Sequence, residues 1–283
     1  MIQKSVHSLK VFFLFDVLFF YTGCATQKSD SPAKYILNDS DFIPKEFLWQ
    51  PVANGIERFD FENHTVPLIY HAVKIDLSNE NLELVCFPDS NTKTSSGGNF
   101  TGIKTSEFAR KNDCVVAVNA SPFEGMFKKK KIIGIHFFEG TEYSCANSKY
   151  GAIVFNKDSA RIIENQNPDF YKDFDFAFGG FFVVLKSDEV QNSFAEIYNS
   201  RSGAGVSGDG KTLYLLVVEG EHKSSSLGLT YPQCGKIFKA MGCSDALELD
   251  GGGSTELCIN GKSILSYKTT RIQANSFGFI LKQ

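Results

Sequence analysis

The sequence predicts an α+β fold: a single domain with a mixed or antiparallel β-sheet core and few helices. Three observations carry this. Short strand-like apolar runs recur from Gly55 onwards, only two segments read as helices, and loops rich in Gly, Ser and Asn separate them. The chain has 283 residues, 42% of them hydrophobic, enough for one large core or two modest ones. Its 29 basic and 32 acidic residues give a formal net charge of −3. The longest basic run is Lys128 to Lys131, so the chain lacks the basic excess of a nucleic-acid binder, and no nucleic-acid partner is expected.

The elements follow in order. Thr65 to Leu77 and Leu82 to Phe87 read as strands, and the polar stretch Ser90 to Gly102 as a loop. A short helix fits Thr105 to Lys111. Cys114 to Val118 is a compact strand that delivers Asn119 at its end. Further strands fit Ile132 to Phe138, Gly151 to Phe155 and Phe181 to Leu185. Leu213 to Val218 is apolar without interruption, as expected of a central strand covered on both faces. Asp209-Gly210 before it reads as a hairpin turn. The clearest helix is Tyr231 to Met241, with Thr230 as cap, Pro232 in the first turn, and Cys234, Ile237, Phe238 and Met241 on one face. Gly242 ends it. The strand Ala246 to Leu249 then launches Asp250, and Glu256 to Ile259 turns at Asn260-Gly261. Ser276 to Leu281 closes the chain. The 27 Phe residues fall mostly in or beside these runs and read as core.

The N-terminus reads as a processing segment. Lys4 and Lys10 precede the apolar stretch Val11 to Tyr21, interrupted only by Asp16, and Thr22-Gly23-Cys24 follows. About 11 apolar residues are too few to span a bilayer and suit the core of a signal peptide. The segment resembles a bacterial lipoprotein signal, in which lipid is carried by the cysteine, here Cys24; plain secretion is the alternative. The expected organisation is therefore a signal in residues 1–24, a polar tether in 25–50 and a domain in 51–283. Export would leave the protein lipid-anchored to the cell envelope, facing the periplasm or the surface. Outside Cys24, six cysteines (Cys86, Cys114, Cys145, Cys234, Cys243 and Cys258) leave the disulfide pairing open. They lack zinc spacing, as do His64, His71, His136 and His222. No Gly-x-Ser-x-Gly elbow is present.

Chemistry concentrates at four places. In Leu249-Asp250-Gly251-Gly252-Gly253-Ser254-Thr255, a carboxylate at a strand end meets three glycines, which let a ligand approach the main chain and can turn N–H groups towards an anion. A tight structural turn is the other reading. Small residues around Arg201, from Asn199 to Val206, would let its guanidinium grip a phosphate or carboxylate, or it forms a surface ion pair. Asn119 to Gly125 again presents polar groups at a strand end, and Gly179-Gly180 marks a close backbone approach.

In this order the segments resemble the phosphodiester glycosidase domain family. The matching stretches are AVNASPFE (117–124), IGIHFFEG (133–140), FAFGGFFVVL (176–185), RSGAGVSGDGKTLYLLVVEG (201–220), LGLTYPQCGKIFKAMGCSDALELDGGGST (227–255) and Arg271 to Phe279. They span about residues 65 to 281, and LDGGGS with its preceding helix is the most specific. The resemblance implies a hydrolase that cleaves the glycosidic bond of a sugar-1-phosphodiester, such as an N-acetylglucosamine-1-phosphodiester or an envelope glycan. It implies Asp250 as first and Glu219 as second catalytic carboxylate. Substrate would be held by Arg201, Asn119, Gly180, Gly251, Gly252, Gly253 and Ser254. A divalent cation on Asp250 is compatible with these residues, no other cofactor is implied, and the oligomeric state is left open. The family's Asn-Gly-Gly or Asn-Gly-Asp is here Asn119-Ala120-Ser121. Its usual Thr after the arginine is Ser202, and its Asp-Gly-Arg is Glu219-Gly220-Glu221. These changes imply a different substrate, with P–O cleavage as another chemistry, or a non-catalytic, lipid-anchored protein that binds glycans or sugar phosphates.

Overall fold

A computed structural model of the chain describes residues 36–95 and 97–282; the signal, Cys24 and the first part of the tether lie outside the described residues. Every strand pair among these residues is antiparallel. The largest sheet has eight strands in the spatial order Gln50–Ala53, Ile56–Asn63, Leu68–Asp76, Thr212–Val218, Arg201–Val206, Asp245–Glu248, Val183–Lys186 and Glu189–Val190. Of two five-stranded sheets, one carries Val116–Asn119 between Leu257–Ile259 and Ser276–Leu281, and the other centres on Phe176–Gly179. A small sheet joins Phe100–Thr101, Lys129–Ile132 and Phe123–Glu124.

The alternation along Thr212–Val218 shows where the core sits. Leu213, Leu215 and Val217 face a cluster shared with Phe155, Phe178, Val116 and Phe277 of the five-stranded sheets. Tyr214, Leu216 and Val218 face the helix Tyr231–Met241, whose Ile237 and Phe238 are fully buried. Burial on both faces is why this strand needs no polar residue. The helix has its expected boundaries: Thr230 and Gln233 form a reciprocal capping box, and Gly242 takes a left-handed φ of 101°. The second helix, Thr105–Lys111, covers the other sheet through Phe108 and Ala109.

Three sequence expectations change. The run Ile132 to Phe138 is two strands, because Gly134 at φ 100° breaks it and sends His136–Phe138 into a different sheet. The Arg201–Val206 segment is a buried central strand. Its small residues make room for the helix: a Cβ at Gly205 would lie 2.6 Å from the Phe238 ring and the Cys243 sulfur. Residues 37–49, within the stretch expected as tether, pack on the domain, with Phe42 fully buried and Phe47 and Trp49 against the Phe59 ring. The six cysteines outside Cys24 are free thiols, all buried except Cys145.

Candidate functional site

Asp250 leaves the Asp245–Glu248 strand and is pinned by its backbone. Its N–H donates to Ala120 O at 2.8 Å, and its carbonyl accepts from Asn119 Nδ2 at 2.6 Å. The three glycines that follow enter a single 3₁₀ turn, Gly252–Ser254, with Gly252 at φ 58°. A Cβ on Gly251 would stand 2.8 Å from Ser200 O, and one on Gly253 would meet the Arg271 guanidinium at 3.0 Å. The glycines therefore let this loop thread between the Arg201 strand and a segment arriving from residues 266–273.

That segment walls the site. Ser266 donates through N–H (2.7 Å) and hydroxyl to Glu219. Thr269 donates to Glu256 at 2.7 Å, and Gln273 Nε2 to Ser254 O at 3.2 Å. Arg271, exposed and without an ion pair among the described residues, lies over Gly253 and close enough to Asp250 to favour its charged form. Burial outweighs this and raises the Asp250 carboxyl to about 6, against the pull of Ser254, Arg271 and the Gly251 N–H. Ser254 Oγ lies beside that carboxylate and favours its charged form though without ideal hydrogen-bond geometry, and Thr255 Oγ1 has no hydrogen-bond partner among the described residues. Both residues are buried, at 0% and 1% exposure. A desolvated carboxylate beside an exposed guanidinium that has no ion pair among the described residues is an arrangement that a polar, anionic ligand would satisfy.

The other predicted residues are placed differently. Asn119 is fully buried, and its Oδ1 accepts from Ser202 Oγ (2.8 Å) and Glu256 N–H (3.0 Å). Its Nδ2 and Oδ1 thus brace both sides of the glycine loop, at Asp250 and Glu256. Gly180 is a packing residue: a Cβ there would be 2.5 Å from Glu248 O. The Gly252 N–H expected at an anion instead donates to Ser200 O at 2.9 Å. Arg201 gives Nε to Leu229 O (2.9 Å) and Nη2 to Ile197 O (2.5 Å), and lies 4.0 Å from the Tyr231 ring centroid. Its sheet face looks towards the helix, where it is the cation nearest buried Glu248. That carboxyl is raised by burial to about 7, with Arg201 and the Cys234 thiol opposing.

Glu219 belongs to a second cluster. Its side chain meets Ser266 and His71 Nε2 (3.1 Å), and His71 Nδ1 meets Asp60 at 2.6 Å, with Arg58 beyond. Burial opposes both charges, yet these hydrogen bonds win: Glu219 is lowered and His71 raised. Ser200 lies between the glycine loop and Glu221: its carbonyl accepts from Gly252 N–H at 2.9 Å and its hydroxyl donates to Glu221 at 3.4 Å. Among the described residues no three His, Cys, Asp or Glu side chains form a metal-holding group.

Sequence reasoning passed over Arg271, Glu256 and Glu248. Arg271 had a weak signal, since it opens the last matching segment. Glu248 had another, as a carboxylate inside an otherwise apolar strand.

A family model described as phosphodiester glycosidase matches residues 112–280. An uncharacterized prophage-derived protein of Bacillus subtilis, YomE, is 28% identical over 173 residues, covering 55% of this chain and 26% of YomE. Among solved structures, a hypothetical protein from Synechocystis matches with a TM-score of 0.66 at 13% identity, over 81% of this chain and 63% of that one. The zebrafish N-acetylglucosamine-1-phosphodiester alpha-N-acetylglucosaminidase catalytic domain, auto-inhibited by its pro-peptide, matches with a TM-score of 0.59 at 16% identity, over 83% and 84%. The chain thus spans about a quarter of YomE and under two thirds of the Synechocystis protein. The two structural likenesses show a shared fold.

Proposed function

The chain belongs to the phosphodiester glycosidase family, and from that membership we propose that it hydrolyses a sugar-1-phosphodiester at the bond between anomeric carbon and phosphate oxygen. Asp250 is the reacting carboxylate and Arg271 the cation that holds the phosphate. The observation that carries this is the grouping at the glycine loop: a desolvated carboxyl raised to about 6 and, over Gly253, an exposed guanidinium without an ion pair among the described residues.

Phosphate leaves readily once its charge is held, so Arg271 is the first requirement. Asp250 then either takes a proton from the attacking water or bonds the anomeric carbon before water releases the sugar. Both routes need the charged form, so the rate rises with pH through about 6. The sugar gains the water oxygen and a phosphomonoester departs. Ser254, beside the Asp250 carboxylate, and the buried Asn119 and Glu219 hold the walls. The envelope location, with lipid on Cys24, is part of the proposal and rests on the N-terminal signal. Lipid labelling that survives Cys24→Ala would remove it.

The test is sugar release from a panel of hexose- and N-acetylhexosamine-1-phosphodiesters, with and without EDTA. Asp250→Asn is expected to lower kcat by about 10²- to 10⁴-fold. Near-wild-type turnover by that variant would overturn the assignment. Solvent oxygen-18 recovered in phosphate would mean P–O cleavage instead. Binding without turnover on any compound would leave a sugar-phosphate-binding protein.

A further inference from the structure

The hairpin that brings Lys130 towards Arg271 ends in a surface for which the fold has no use. Its arms are Phe123–Glu124 and Lys129–Ile132. At its tip Met126 is 74% and Phe127 86% exposed, and neither joins a core cluster. Phe127 also takes φ 49°, a left-handed conformation that Gly or Asn adopts with less strain. Local backbone preference therefore argues against an aromatic there, and burial does not explain it.

Charge surrounds this apolar pair. Lys128, Lys129 and Lys131 are exposed; Lys131 meets Glu124 at 3.4 Å, while Lys128 and Lys129 form no ion pair among the described residues. Lys130 turns inward, its Nζ 4.6 Å from the Phe123 ring centroid, and its ammonium is disfavoured by burial and by Arg271. The hairpin thus has an apolar point, a collar of free lysines, and a root at the candidate site. Two side chains at a tip are too small for a stable protein interface, which buries about 800 Å² per partner. They suit a bilayer with acidic headgroups, where rings enter the acyl boundary and ammonium groups stay among phosphates.

We propose that the Phe123–Ile132 hairpin docks on the surface of an anionic lipid bilayer through Met126, Phe127 and the lysines beside them. This contact is independent of lipid on Cys24 and of the reaction assigned to Asp250. Among the described residues no helix is long and apolar enough to cross a membrane, so this is a surface contact.

The test uses the full chain, so that any N-terminal anchor is common to all samples and the readout is local. Phe127→Trp is mixed with brominated-lipid vesicles of phosphatidylcholine, with or without phosphatidylglycerol, and the quenching of wild-type Trp49 is subtracted. Quenching is expected in the anionic vesicles. It should weaken about tenfold when Lys128→Glu and Lys129→Glu are added, or at high salt. Quenching no greater than wild type, or equal quenching in the charge-reversed variant, would overturn the proposal. So would a lipid-free emission shift that grows with protein concentration, which would mean that a second copy covers the tip.

Discussion

Asp250 and Glu219 are both carboxylates just beyond the end of a strand in the same eight-stranded sheet, and their surroundings drive them in opposite directions. Glu219 is saturated by Ser266 N–H, the Ser266 hydroxyl and His71, which hold its charge in place despite burial. Asp250 is also desolvated but lacks comparable donors, and so it sits raised at about 6. Burial alone does not mark a reactive group. What distinguishes Asp250 is a desolvated carboxylate beside the exposed Arg271 guanidinium, which can hold an anion next to it.

The sharpest way to break this comparison is to neutralise each carboxylate in turn and read activity beside stability. Asp250→Asn, besides losing turnover, should be more stable than wild type at pH 7. A raised acid penalises the fold as pH climbs from its unfolded value of 3.8 through about 6. Removing that penalty is worth on the order of 2–3 kcal/mol. The difference should vanish below pH 3.8, and urea titrations across pH would check it.

Glu219→Gln should do the reverse, costing about 1–3 kcal/mol while leaving kcat per folded molecule within a few-fold. Its pH dependence follows from both partners. The lowered Glu219 contributes fully above its ordinary 4.5 and loses this as pH falls through the lower folded value. The raised His71 contributes fully below its ordinary 6.5 and loses this as pH rises through the higher folded value. The gap to wild type should therefore be widest between 4.5 and 6.5. A flat gap would show that the His71 pair is not the cause.

Arginines sharpen the contrast next. Arg271→Ala should raise KM for a phosphodiester about 10- to 100-fold with little change in thermal midpoint, because the side chain is exposed and forms no ion pair among the described residues. Arg201→Ala should mainly destabilise, since it frees the Leu229 and Ile197 carbonyls and removes the cation nearest Glu248. If Arg201→Ala alone raised KM, the anion site would lie on the other face of the sheet. The smallest effect belongs to Thr230→Ala, about 1 kcal/mol of stability from the lost cap, measured by denaturation and without effect on KM.

Features set by neighbours in the chain were legible in advance. The helix Tyr231–Met241 carries its cap, its apolar face and its terminating glycine within thirteen residues, from Thr230 to Gly242, and forms where expected. Asn260-Gly261 turns as its pair of left-handed φ values requires, and Asn119 and Asp250 both arrive at strand ends. The Arg201 stretch misled because Gly203 and Gly205 look alike in sequence whether they open a cleft or admit a helix. Only sheet pairing, which puts alternate residues under Phe238, separates the two.

By itself, the sequence determined the α+β class and the loop where a carboxylate meets glycines, because periodicity, caps and turn chemistry act over a few residues. The family followed from the resemblance of its motifs, and the sheets, expected as mixed or antiparallel, are antiparallel throughout the described residues. Tertiary structure decided which charges stand together. It delivered Arg271 over Gly253, turned Arg201 towards the helix, and gave Glu219 its donors from Ser266 and His71. Those partners are remote in the chain. The fields and hydrogen bonds that set a carboxylate's role act across a few ångströms of space, whatever the number of residues between them.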